Sequence, residues 1–66
     1  MSAFDPMTRD DALATAKRDD LGFIVTIRMA AGDASIATRS RQEAINWVNF
    51  NRDWMYPGTD RIEEVL

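Results

Sequence analysis

The sequence predicts a small α+β domain whose elements follow the order α-β-β-α-β. Three observations predict it: apolar residues alternate over 23–29, a Gly32-Asp33 pair can turn a hairpin, and a capped helix begins after Ser40. We expect an antiparallel three-stranded sheet in the order 2-1-3, covered on one face by the second helix. The chain of 66 residues holds one such domain with a thin core.

Residues 1–20 predict a short N-terminal helix, or a tail, ahead of a β-β-α-β core in residues 23–66. Asp5 or Thr8 can cap the helix, and Gly22 can end it in a left-handed conformation. Its apolar residues are mostly alanine, so we expect this helix to bury little surface.

Residues 23–39 predict a β-hairpin with one buried face, because apolar and polar side chains alternate with a period of two. If Gly32 and Asp33 are the two loop residues, Met29 lies opposite Ile36. We expect the other face, which carries Arg28, to be open to solvent.

The second helix begins with Ser40 and Glu43 in the spacing of a capping box. Apolar residues then recur at helical spacing, and we expect Trp47 to be the centre of the core and Trp54 to join it. Asn51 interrupts the apolar face, which indicates that the helix ends near this residue.

Residues 61–66 fit either a last helical turn or a third strand. A third strand is favoured, because two strands alone make a marginal sheet. It would run antiparallel to the first strand, which gives the order 2-1-3.

The composition argues against enzymes, metal sites and membrane segments. The chain has no cysteine and no histidine, which removes thiol chemistry, the commonest general base and the commonest metal ligand. No glycine-rich phosphate loop or metal motif occurs, and the longest apolar run covers residues 23–25. We therefore expect a non-catalytic, soluble protein of the cytoplasm that uses no cofactor.

Charge indicates two alternative binding surfaces. The net charge is −3, with acids concentrated towards both ends of the chain. These acids could imitate a phosphate backbone and bind a protein with a basic surface: Asp10, Asp11, Asp19, Asp20, Glu63 and Glu64. The alternative is a phosphate-binding patch on the hairpin, formed by Arg28, Arg39 and Arg41.

In its size, acidity and lack of cysteine, the chain resembles the small phage-encoded anti-CRISPR proteins. The hairpin in residues 23–39, the capped helix from Ser40 and the acidic pairs carry the resemblance. It implies tight binding to a CRISPR effector subunit in the bacterial host cell, which blocks the path of DNA or guide RNA without catalysis.

Other readings of the same pattern stay open. The β-β-α-β core is also similar to HicB-type antitoxins, and the three hairpin arginines favour a nucleic-acid-binding or antitoxin-like module. A small phage structural or assembly protein is a further alternative, which self-association would reveal. The chain could act as a monomer or as a homodimer.

Overall fold

The computed structural model describes residues 6–65 as one layered α+β fold. Its strands are antiparallel and lie in the order β2-β1-β3. The predicted fold class and element order are therefore confirmed, and the ambiguous C-terminal segment is a strand over its first four residues. The elements are α1 (Arg9–Arg18), β1 (Phe23–Met29), β2 (Gly32–Thr38), α2 (Arg41–Phe50) and β3 (Arg61–Glu64).

The hairpin loop lies two residues earlier than the sequence predicts. Met29 pairs with Gly32, so Ala30 and Ala31 form the loop and Asp33 belongs to β2. The predicted positive φ is present at Gly32, at 121°, but Gly32 follows the loop instead of forming it. The shift changes the register by an even number of residues, so every side chain keeps its predicted face.

The core between the sheet and α2 is built on strand residues. Val25, Ile27 and Ile36 are fully buried there, together with Val48 from α2. Trp47 is only half-buried and packs against the edge of this cluster. The expectation that Trp47 is the centre of the core is therefore wrong, because three β-branched side chains already fill that space.

The second face of the sheet is covered by α1, which corrects the expectation of a solvent face. Ile24 and Ala37 lie on that face at 1% and 0% exposure. They pack against Ala12 and Ala16 of α1 and against Leu21 beyond it. Because the side chains of Ala12 and Ala16 are small, the backbone of α1 can approach the sheet closely. The alanine-rich helix thus buries its strand partners even though it contributes little apolar surface itself.

The segment before α1 is tied to the sheet as well as to the helix. The Thr8 hydroxyl caps α1 by accepting from the Asp11 N–H at 3.1 Å. Met7 exchanges two backbone hydrogen bonds with Ser35 on the outer side of β2, at 2.9 and 2.8 Å. Asp5, the other predicted cap, lies outside the described residues.

The end of α1 uses an aspartate where the sequence suggests a glycine. Asp20 takes the left-handed conformation with φ 56°, and the Leu21 N–H donates to the Ala16 carbonyl at 2.8 Å. This bond and the apolar contact between Leu21 and Ala16 are those of a Schellman motif. Gly22 is therefore not the terminating residue.

The two ends of α2 agree with the sequence. The Ser40 hydroxyl accepts from the Glu43 N–H at 3.2 Å, and Asn51 is the C-cap, with its side-chain amide donating to the Trp47 carbonyl at 2.9 Å. Trp54 follows the helix end and is 63% exposed, so its predicted place in the core is wrong. The expected helical spacing of Trp54 does not apply, because α2 has already ended.

Candidate functional site

Four of the predicted contact acids lie in α1 or directly after it. Asp10 and Asp11 stand in its first turn, and Asp19 and Asp20 stand just beyond its last turn. All four are exposed, because the buried side of α1 is turned to the sheet. At a rise of 1.5 Å per residue, the two pairs are about 14 Å apart along the helix axis. We call these four residues the acidic helix surface.

The acids of this surface differ in their partners. Asp19 pairs with Arg18 at 3.2 Å, and the hydrogen bond from that guanidinium lowers the pKa of Asp19. Among residues 6–65, Asp10, Asp11 and Asp20 take part in no salt bridge. Three of the four carboxylates therefore remain available to a partner.

The remaining two predicted acids lie on opposite faces of β3. Glu63 is bound by the guanidinium of Arg9 through two hydrogen bonds of 3.0 and 2.7 Å. These hydrogen bonds lower the pKa of Glu63, against a smaller opposing effect of burial. Glu64 is exposed on the α2 side. Glu63 therefore ties β3 to α1 instead of extending the acidic helix surface.

The three predicted phosphate-binding arginines do not form one patch. Arg28 lies at the hairpin end of the sheet and pairs with Asp33 at 3.0 Å. Arg39 follows the opposite end of β2. It is six residues, or about 20 Å, along the strand from Asp33, which is the residue that pairs with Arg28. Arg41 lies over the ring of Phe23, with 5.8 Å from its Cζ atom to the ring centroid. The register observed in the hairpin, which differs from the predicted one, separates Arg28 from the other two.

A cleft on the α1 side brings a different set of arginines together. Its volume is about 560 Å³, and its polar lining consists of three arginines, three threonines and two aspartates: Arg9, Arg28, Arg61, Thr8, Thr26, Thr59, Asp33 and Asp60. Arg9 and Arg28 are engaged in salt bridges, whereas Arg61 takes part in none within residues 6–65. Sequence reasoning missed this set because its members come from α1, β1 and β3.

A groove of about 470 Å³ lies on the α2 side, above β3. It exists because α2 packs mainly against β1 and β2 and leaves the third strand uncovered. Ile45, Met55, Pro57 and Ile62 supply its apolar walls. We call it the β3 groove.

Exposed aromatic side chains lie at the C-terminal end of α2 and in the segment after it. Phe50 and Trp54 are 76% and 63% exposed, and their ring centroids lie 6.5 Å apart. Tyr56, in the next segment, is 52% exposed. Large exposed aromatics are over-represented where one protein contacts another.

Neither the side-chain geometry nor comparison with known proteins assigns a ligand or a partner to these surfaces. Among residues 6–65, no group of three potential metal-ligating side chains is placed to hold an ion. The helices of this part of the chain are all too short or too polar to cross a membrane. No protein-family model, curated protein or solved structure matches the chain significantly.

Proposed function

We propose that this chain is a non-catalytic protein-binding inhibitor that covers a basic surface of a larger partner. The observation that carries the proposal is the acidic helix surface, in which Asp10, Asp11 and Asp20 are exposed and take part in no salt bridge within the described residues. A protein groove that normally holds nucleic acid offers closely spaced positive charges to such carboxylates.

The spacing of the acids suits that role. One strand of duplex DNA places a charge about every 3.4 Å along the axis. The two acid pairs of α1, about 14 Å apart, therefore span roughly four nucleotide steps. Their helix is fixed at both caps and packed on the sheet, so the carboxylates are held at a constant spacing before binding.

Exposed apolar side chains supply what charge alone does not. Carboxylates speed the encounter with a basic partner, but buried aromatics carry more of the affinity in most interfaces. Phe50 and Trp54 offer such a contact. The resemblance to anti-CRISPR proteins suggests the class of partner, a CRISPR effector in the bacterial cytoplasm.

The test is a competition assay with purified, guide-loaded CRISPR effector complexes and labelled target DNA. With a sensitive effector, an equimolar amount of this protein should abolish DNA binding, and no cleavage or modification of the effector should accompany the loss. If no effector in a panel covering the main types loses DNA binding, the CRISPR assignment is wrong.

Charge-reversal variants locate the contact. Asp10→Lys should slow association with the inhibited effector at least several-fold, and raised salt should slow the wild type in the same way. Glu64→Lys makes the same change in net charge at an exposed residue of β3 on the α2 side of the sheet, outside the acidic helix surface, so it should associate like the wild type. Equal effects of the two variants would refute a role for the acidic helix surface.

The cleft on the α1 side favours a second function, the binding of a phosphate-bearing ligand. Arginine and threonine side chains are groups that hold phosphates, and the three arginines of the cleft outnumber its two aspartates, Asp33 and Asp60. In this reading the protein itself binds DNA or RNA, and Arg61→Ala weakens binding. A gel-shift assay without any effector decides between the two functions, because the inhibitor should shift neither nucleic acid.

A further inference from the structure

The outer edge of β3 presents backbone groups that no strand of the described chain pairs with. In an antiparallel ladder, successive residues direct their N–H and C=O groups alternately to one side and the other. The Arg28 carbonyl on β1 accepts a bond from the β3 side, so alternate residues of β1 bond to Arg61 and Glu63. Ile62 and Glu64 therefore direct their N–H and C=O groups outwards.

The other edge of the sheet is already covered. On β2, the outward N–H and C=O of Ser35 are both bound by Met7. A strand added at that edge would have to displace this segment, which leads directly into α1. The edge of β3 needs no such displacement, so it is the more accessible of the two edges to a pairing strand.

The unpaired charges of β3 are sorted by face. Glu64 is exposed on the α2 side of the sheet, and Asp60, directly before the strand, lines the β3 groove. Arg61 lies on the other side, in the wall of the arginine cleft. Within residues 6–65, none of these three takes part in a salt bridge. A strand that paired with β3 would therefore meet an acid at each end of one face and a base on the other.

This arrangement disfavours a second copy of the chain. If two copies of β3 paired antiparallel about Ile62, Asp60 of each would lie opposite Glu64 of the other. Like charges directly opposite are destabilising. Glu63 is already held by two hydrogen bonds from α1, so it does not compensate by pairing with Arg61 of the other copy. The charges of β3 thus protect the edge against pairing with itself.

The same charges are complementary to a different strand. In antiparallel pairing, a basic residue suits the positions opposite Asp60 and Glu64. An apolar residue suits the position opposite Ile62, and an acidic residue suits the position opposite Arg61. The residues opposite Ile62 and Glu64 would each exchange two backbone hydrogen bonds with β3. The edge therefore selects a strand by backbone pairing and by the signs of three charges.

The β3 groove has room for the apolar residue of such a strand. It is open because α2 packs mainly against β1 and β2. A side chain opposite Ile62 would lie next to it on the α2 side, where Ile45 also lines the groove. Arg52 lines the same groove, but it donates a hydrogen bond to Asn49 at 2.8 Å, which holds its guanidinium on the α2 wall.

We infer that the free edge of β3 and the β3 groove bind an extended segment of another protein by antiparallel strand addition. The segment carries a basic residue two positions to each side of an apolar residue, and an acidic residue directly after the apolar one. This contact lies outside the acidic helix surface. It goes beyond the proposed inhibitor function and does not depend on it.

The test is a titration of the isotope-labelled chain with the peptide Lys-Thr-Val-Glu-Lys, acetylated at one end and amidated at the other. The peptide places its lysines opposite Glu64 and Asp60 and its valine opposite Ile62. The amide signals of Ile62 and Glu64 should shift, because their N–H groups gain acceptors. We expect a dissociation constant on the order of 100 µM, since one short strand buries less surface than a standard interface.

Control peptides separate charge from backbone pairing. Thr-Lys-Val-Lys-Glu has the same composition, but it places lysine opposite Arg61 and glutamate opposite Asp60, so it should bind at least fivefold more weakly. N-methylation of the valine removes the N–H that bonds to Ile62 and should also weaken binding at least fivefold. N-methylation of the threonine before it alters an N–H that points away from β3, so that peptide should bind like the parent.

A charge swap across the contact tests the assigned partners. Arg61→Glu should weaken binding of the parent peptide roughly fivefold, because an opposite-charge pair becomes like-charged. A peptide with lysine in place of its glutamate should restore the affinity for this variant. Arg39→Glu makes the same change in net charge but follows β2, the opposite edge strand, so it should bind the parent peptide like the wild type.

Three results would overturn the inference. Absence of any shift up to about 1 mM peptide would mean that the charges and short length of β3 simply close this edge. Equal affinities for the parent peptide and for the rearranged or valine-methylated peptide rule out the assigned pairing. A dimer that forms through β3 without peptide, measured by sedimentation and by the same amide signals, would assign the edge to a second copy. No effector enters this experiment, so its outcome is separate from that of the inhibitor test.

Discussion

Replacing Ile24 by alanine tests whether α1 is an integral layer of the fold. Ile24 is 1% exposed and lies between the sheet and α1, against the small side chains of Ala12 and Ala16. Truncating a buried isoleucine costs about 2–5 kcal/mol, and the cost rises when neighbours cannot fill the cavity. The side chains of Ala12 and Ala16 are too short to move into the cavity, so we expect Ile24→Ala to lower the free energy of unfolding by about 3 kcal/mol.

The effect is large for a domain of this size. At roughly 0.05–0.15 kcal/mol per residue, the whole chain has a free energy of unfolding of about 3–10 kcal/mol. A loss of about 3 kcal/mol lowers the melting temperature by roughly 12 °C or more. Urea unfolding followed by circular dichroism measures it, with the slope checked for an unchanged denatured state.

Ile45→Ala is the matched control for this prediction. Ile45 is 36% exposed on α2, and alanine is the better helix former, so the change should cost less than about 1 kcal/mol. If Ile24→Ala is no more costly than Ile45→Ala, α1 does not cover the second face of the sheet, and the description of a sheet between two helices is wrong.

Three further predictions concern the turn, the caps and the salt bridge. Gly32→Val should destabilise the fold more than Gly32→Asn, because φ is 121° at this position and a β-branched residue tolerates positive φ least. The denaturant midpoints of the two variants measure the difference. Equal losses of stability would argue for another loop. Thr8→Ala and Ser40→Ala should each cost about 1 kcal/mol, measured by thermal melts, whereas a cost near zero would mean that the caps are not formed. The pKa of Glu63 is lower in the folded chain than its ordinary value of 4.5, so its stabilisation is present above pH 4.5 and is lost as the pH falls through the folded pKa. Glu63→Gln should remove that part of the acid destabilisation in melts recorded from pH 7 to pH 3, and an unchanged pH profile would contradict the role of Arg9.

The sequence predicted the faces of the strands better than their register. A period of two assigns Val25, Ile27 and Ile36 to one face whatever the loop, and the structure agrees. The loop itself is ambiguous, because the positive φ of Gly32 can lie in a turn or directly after one. Hydrophobic patterning does not distinguish registers that differ by two residues on each strand.

Alanine and tryptophan were the residues whose burial was misjudged. Hydrophobicity ranks Ala12 and Ala16 low, yet their small volume is what lets α1 approach the sheet and bury Ile24. Trp54 ranks high, yet the helix ends at Asn51 and the ring stays in solvent. Burial in this fold depends on where elements end and how closely they approach, and single-residue scales contain neither quantity.

The candidate surfaces were predictable only where neighbours in sequence remain neighbours in space. The acid pairs of α1 are local, and their exposure follows from the buried face of a single helix. The bond between Arg9 and Glu63 joins residues 54 positions apart, and no local pattern indicates it. The arginine cleft and the β3 groove depend in the same way on the return of the chain to β1.

The central place of β1 has a kinetic consequence for the folding of this chain. Its partner β2 follows β1 after two residues, whereas β3 is separated from β1 by β2, by α2 and by a long connection. Closing the larger loop costs more chain entropy, so the hairpin should form early and β3 should join late. Changes in the hairpin should therefore slow refolding, and changes in β3, including loss of the Glu63 carboxylate, should mainly speed unfolding. Stopped-flow measurements of both rates would show β3 to be the first strand to leave the sheet.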